Sequence, residues 1–151
     1  MMKINQKLAI MIRWTLGLVL VVSSILKVVS IKTFVIETGD YIDLYMPQWL
    51  HGWNMPCAIA ICVIELAAGI LLIKKKQNVW ISVPPLLLLT FFVWLTGVNL
   101  FFPTIFGSVE SCGCFGELIH FTPVSSFAKS VVLWFWALVL FVNSMIDWKN
   151  A

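Results

Sequence analysis

Charge is what this chain has least of. Only 11% of its 151 residues are Asp, Glu, Lys or Arg, where soluble domains carry roughly 25%. Hydrophobic residues make up 61% and the mean hydropathy is +0.98. A soluble fold of this length cannot hide so much apolar surface, so lipid is its natural solvent. The chain also lacks glycine-rich phosphate loops, His-Glu metalloprotease spacing and acidic calcium loops, which removes the commonest nucleotide and metal enzymes. Histidine occurs twice, at His51 and His120, isolated in sequence and read as interfacial. The net charge of +3 does not argue for nucleic acid, because the cations flank apolar runs instead of forming a patch. No linker, low-complexity tract or repeat divides the chain, so residues 1–151 are read as a single membrane domain.

Four apolar runs are long enough to span, at about residues 8–31, 56–73, 79–102 and 127–146. They predict an all-α membrane protein, a bundle of four transmembrane helices. The first run exceeds the ~7–15 apolar residues of a cleavable signal and is read as a retained anchor. Ser82 is the expected cap of the third helix, just ahead of Pro84 and Pro85, and Thr122-Pro123 is a start signal for the fourth.

Lys3, Lys7 and Arg13 flank run one, Lys74, Lys75 and Lys76 lie between runs two and three, and Lys149 follows run four. Basic segments stay cytoplasmic. This predicts both termini inside and two outer loops, Lys32–Met55 and Pro103–Ser126. Trp49, Trp53, Trp80 and Trp148 lie near helix ends, where indoles favour the interface. For the first outer loop two readings stay open: a short amphipathic helix on the bundle's outer surface, or a partly ordered interfacial segment.

Four cysteines are present: Cys57, Cys62, Cys112 and Cys114. Two sit in Ser111-Cys112-Gly113-Cys114-Phe115-Gly116, on the oxidising side under this topology. A disulfide across one residue closes a very small ring, and Gly113 and Gly116 supply backbone freedom for the bend. Strain makes such a bond easier to reduce, so it suits exchange chemistry better than a permanent staple. A structural disulfide, within the pair or to Cys57, competes with this reading. So does a metal site of Cys112, Cys114 and His120, although metal-binding cysteine pairs usually have wider spacing. Cys57, at the outer end of the second helix, is a candidate relay partner, with packing as its alternative. Cys62 is about 140° round the helix from Cys57 and reads as a packing residue.

Ionisable groups inside a membrane cost at least ~2.5–3.5 kcal/mol on insertion scales and face the protein interior, where they pair. Lys27 lies about one turn from the outer end of the first helix and either turns inward or snorkels. Glu65, near the middle of the second helix, is too short to escape. It is expected to be protonated, paired with Lys27, or bonded to Asn99 or another polar group, as a proton carrier, cofactor ligand or packing device. Asn99 lies toward the outer end of the third helix, and Lys129, early in the fourth, could lie under the cysteine loop and favour thiolate.

These residues carry a resemblance to the MauE/DoxX family of small bacterial membrane proteins, nearest its MauE branch. Ser23-Ser24-Ile25-Leu26-Lys27 resembles the family's Ser-Gly-x-x-Lys pattern, with Ser24 where glycine is usual. Ile64-Glu65-Leu66-Ala67-Ala68-Gly69 resembles its Glu-x-x-x-Gly segment, and Cys112-Gly113-Cys114-Phe115-Gly116, followed by Lys129, is the most specific part. The resemblance implies a four-helix bundle associated with redox processes, including maturation of a disulfide-rich dehydrogenase in methylamine utilisation. It makes Cys112 and Cys114 the redox pair and Lys27 and Glu65 the intramembrane polar pair.

The leading expectation is a thiol–disulfide exchange component that works with a periplasmic thioredoxin-like partner or a disulfide-containing client. A quinone could sit near Glu65, Lys27 and Asn99, although no motif specifies one. The alternatives are a non-catalytic assembly or scaffold subunit, and a small transporter or metal handler.

Overall fold

A computed structural model describes residues 5–50, 52–74, 78–101 and 122–150. Cys112, Cys114, His51 and His120 lie outside these residues. The described residues form five α-helices and one short 3-10 turn, with no strand among them: α1 Gln6–Val29, α2 Ile31–Tyr45, α3 Asn54–Lys74, α4 Val79–Phe101 and α5 Pro123–Lys149. Helices α1, α3, α4 and α5 are each long and apolar enough to cross a membrane. In all four windows only about a third or less of the residues are buried inside the protein. The rest of each apolar surface, such as Met11, Leu18, Ile25, Val63 and Phe135, faces outward, as it must in lipid.

The helices pack as two close antiparallel pairs, α1 on α3 and α4 on α5, joined across narrower seams. Residue numbers fall on one member of a pair as they rise on the other. Gly17 meets Gly69 while Ser24 meets Cys62, and Ser82 meets Ser144 while Phe101 meets Phe127. Both termini therefore lie at one end of the bundle, and α2 lies toward the other. The shared core holds Leu16, Leu20, Leu72, Leu89, Ala137 and Leu140.

Two glycines set the spacing of the first pair. A Cβ added at Gly69 would stand 2.8 Å from Val21 Cγ2, 2.9 Å from Gly17 O and 3.1 Å from Val21 N. Close backbone approach through small residues is how helices pack where lipid offers no hydrophobic drive. Two turns further along α1 from Gly17, Ser24 continues that contact. Its hydroxyl donates to the Cys62 carbonyl at 2.9 Å and adds a bond between the helices. Ser24→Ala is expected to lower stability by about 0.6 kcal/mol, the average for such bonds in membranes, measured by unfolding in detergent.

Helix α4 begins at Val79, three residues before the expected cap. The Asn78 carbonyl accepts from both Ile81 N and Ser82 N, at 3.0 and 3.1 Å, and closes the first turn upstream of the prolines. Ser82 is thus not a cap. Its hydroxyl hydrogen-bonds Ser144 on α5 at 2.9 Å and holds that end of the second pair. Thr122 does cap α5, accepting from Ser125 N at 3.3 Å, with Pro123 in the first turn.

The segment after α1 is a 15-residue amphipathic helix, α2, separated from α1 by Ser30. Phe34, Thr38, Tyr41 and Ile42 are buried while Lys32, Ile36, Asp40 and Asp43 are exposed, so one face docks. Phe34 packs with Ala58 and Cys62 of α3. A Cβ on Gly39 would collide with the Asn54 side chain, which marks another close approach. Trp49, Trp53, Trp80 and Trp148 are all exposed near the helix ends.

Candidate functional site

The centre of the polar interior is an ion pair. Lys27 Nζ donates to Glu65 Oε2 at 2.5 Å, and the two side chains are 0% and 2% exposed. Lys27 does not snorkel. A helical Cα–Cβ bond leans toward the helix N-terminus, and for α1 that direction is into the bundle. From beyond the Ser24–Cys62 contact, the lysine stem runs back to Glu65. The close α1–α3 contact at Gly69, one turn beyond Glu65, brings the two within reach.

Aromatic rings complete the ammonium's surroundings. Nζ lies 4.7 Å from the Phe92 ring centroid on α4 and 5.4 Å from that of Phe34 on α2. Cation–π contacts of this kind are worth about 2 kcal/mol or more when desolvated. Thus four helices converge on one charge: α1 supplies it, α3 balances it, and α2 and α4 cover it.

Two cavities flank the pair. One, of about 50 Å³, lies between α2, α3 and α4 and is lined by Lys27 together with Glu37, Thr38 and Tyr41 of α2. The other, of about 20 Å³, lies between α1, α3, α4 and α5, where Glu65 faces Ser23, Lys129 and Ser130. Lys129 is therefore grouped with the intramembrane pair, and its relation to Cys112 and Cys114 lies outside the described residues. Around the buried Lys27–Glu65 pair, half-buried Glu37 lines the cavity on the lysine side and half-buried Lys129 the cavity on the glutamate side.

Asn99 is buried on the same face of α4 as Phe92 and two turns further along. Unlike Lys27 and Glu65, it lines neither of these two cavities. Cys57 and Cys62 are free thiols: Cys57 is half-buried near the start of α3, and Cys62 is buried against Phe34 and Ala58. Among the described residues no group of three His, Cys, Asp or Glu could hold a metal ion.

Glu37 lines this polar interior but was not among the residues the sequence singled out. The available signal was spacing: Phe34, Glu37, Thr38 and Tyr41 fall at i, i+3, i+4 and i+7, one face of a helix.

The buried Lys27–Glu65 pair and the Gly69 crossing fall in the segments that carry the family resemblance. The family model of methylamine utilisation protein MauE matches residues 5–144. This chain belongs to the MauE family. With its four apolar helices, this makes it a multi-pass membrane protein. It is also similar to Protein TlpB of Flavobacterium psychrophilum, 31% identical over 134 residues. That match covers 86% of this chain and 35% of the relative, so the chain spans about a third of the length of the curated protein it matches. No solved structure matches it.

Proposed function

We propose that this MauE-family chain is a membrane-embedded thiol–disulfide redox component whose working groups are Cys112 and Cys114. The observation that carries the reading is the sequence Cys112-Gly113-Cys114 between two spanning helices, α4 and α5. Lysine bias puts that connection on the periplasmic side, where a thioredoxin-like partner or a disulfide-containing client would meet it. Family membership supports the setting, and a maturation role in methylamine utilisation is its most specific form.

The exchange is symmetrical in atoms. One cysteine thiolate attacks a partner disulfide, forming a mixed disulfide and releasing a partner thiolate. The second cysteine then attacks the mixed bond. The pair ends as Cys112–Cys114 disulfide and the partner as a dithiol, two electrons richer. In this scheme Cys57, near the outer end of α3, is a further thiol that could take over the bond, and Lys129 is a cation that favours the thiolate.

A single-cysteine variant tests the scheme. In Cys114→Ser, or in Cys112→Ser, the second step is blocked, so the mixed disulfide should accumulate. It would appear as a higher-mass species on a non-reducing gel and collapse on reduction. If neither variant forms one, and the double serine variant keeps its physiological role with lower stability, the cysteines only brace the connection and the chain is a scaffold.

A further inference from the structure

The smaller of the two cavities sits where all four spanning helices meet, and Glu65 opens onto it. We propose that this cavity, between α1, α3, α4 and α5, binds a single water molecule that donates to Glu65 on one side and to Ser130 on the other. The site is independent of Cys112 and Cys114.

Size limits the ligand. The cavity holds about 20 Å³, and roughly 10–15 Å³ is enough for one water. A cavity that accepts benzene is about 150 Å³, so no organic molecule enters here. A purely apolar cavity stays dry, whereas a buried water needs about two to four polar partners. Glu65 and Ser130 line this one beside Leu20, Leu89 and Leu133.

Hydrogen-bond capacity selects water. A carboxylate offers about four lone-pair sites, and Lys27 engages Glu65 at Oε2, so the side chain keeps room to accept. The Ser130 hydroxyl donates to the Ser126 carbonyl at 2.9 Å. Its one proton is committed there, and its oxygen still accepts. Both partners thus call for a donor, and water supplies an O–H to each. A halide or other simple anion has no proton to give either of them. A metal cation would stand in a cavity that Lys129 also lines, against a carboxylate that already holds Lys27.

Placement gives the water its consequence. Glu65 belongs to the α1–α3 pair and Ser130 to the α4–α5 pair, and α3 and α5 share no broad seam among the described residues. A water between them ties the two helix pairs together at the level of the ion pair. Such a bridge is enthalpically nearly as good as a direct hydrogen bond. Ser130 lies two turns into α5, the helix that follows the cysteines in the chain, so the bridge also fixes the depth of α5 against Glu65.

The test is proton transfer from water to protein, read by solid-state NMR on the full chain in liposomes with carbon-13 in its Glu and Leu residues. Leu18, exposed on the spanning helix α1, gives the level for a side chain in lipid. Transfer to Glu65 Cδ and to the Leu20 and Leu89 methyls should stand clearly above that level. Ser130→Thr keeps the hydroxyl and adds a methyl that takes up the cavity, and transfer at Leu20 and Leu89 should then be lost. Val19→Ile fills the same space from α1 and should do the same, which covers a failure of the first variant to fold. Wild-type transfer no higher than at Leu18 would overturn the site, as would full transfer in the filled variants.

Discussion

Glu65→Met is expected to destabilise the protein by about 3–5 kcal/mol, the cost of leaving a buried charge without its partner. Lys27 has no route to water in the folded bundle, since its side chain is fully buried and its stem points inward. Without Glu65 the ammonium keeps only the two rings and more distant charges. Lys27→Met should cost a similar amount for the same reason. The double variant Lys27→Met/Glu65→Met removes both charges and leaves two flexible side chains that fill the space. It should recover most of the loss, because well-packed apolar replacements of buried ion pairs are often neutral or better. Denaturant unfolding in detergent, run as a double-mutant cycle, reads the coupling directly. Strictly additive losses would mean that the two residues act separately, which a 2.5 Å contact does not allow.

The second large effect belongs to Gly69. In Gly69→Leu, the new side chain meets backbone atoms of Gly17 and Val21 at 2.9 and 3.1 Å, and backbone cannot turn away. The α1–α3 pair must open, and Ser24 and Lys27 lie on the same seam. Overpacking alone costs about 1–3 kcal/mol, and loss of the Ser24 and Lys27 contacts adds to it, so the expected total is about 3 kcal/mol or more. Gly97→Ala is the comparison. Its Cβ would meet only the Phe127 ring, at 3.3 Å, and the cost should stay below about 1 kcal/mol. Melting temperature in detergent and the yield of monodisperse protein check both. Equal behaviour of the two variants would remove the tight crossing from the account.

The four spanning helices could be read in the sequence because each apolar run is long and carries few charges. Lys27 and Glu65 stood out for the same reason, as ionisable groups where lipid makes them costly. Their pairing was one of several readings, since sequence does not state which faces of α1 and α3 meet. Gly17 and Gly69 decide that, and the spacing of a glycine contact between two helices is a property of the pair. Helix α2 was half legible. Its helical face shows in the spacing of Phe34, Thr38, Tyr41 and Ile42, but its docking against α3 depends on the single-residue break at Ser30. Lys129 lines the cavity beside Glu65, a placement its position after the cysteines in the chain does not state, and its relation to Cys112 and Cys114 lies outside the described residues. Asn99 shares the inward face of α4 but lies beyond Phe92, and the cavities on either side of the ion pair do not reach it.

The central claim is that Cys112 and Cys114 cycle between dithiol and disulfide. Its most direct measurement is a redox titration of the protein in membranes. Samples are equilibrated across a series of thiol–disulfide buffers, and free thiols are then tagged with a maleimide of large mass. Cys57→Ser/Cys62→Ser protein keeps the readout to the one pair. The account predicts a single two-electron transition within the range of thiol–disulfide exchange proteins, roughly −120 to −270 mV, with both cysteines tagged below it and neither above. A pair that stays reduced throughout, or stays oxidised against strong reductant, would contradict it.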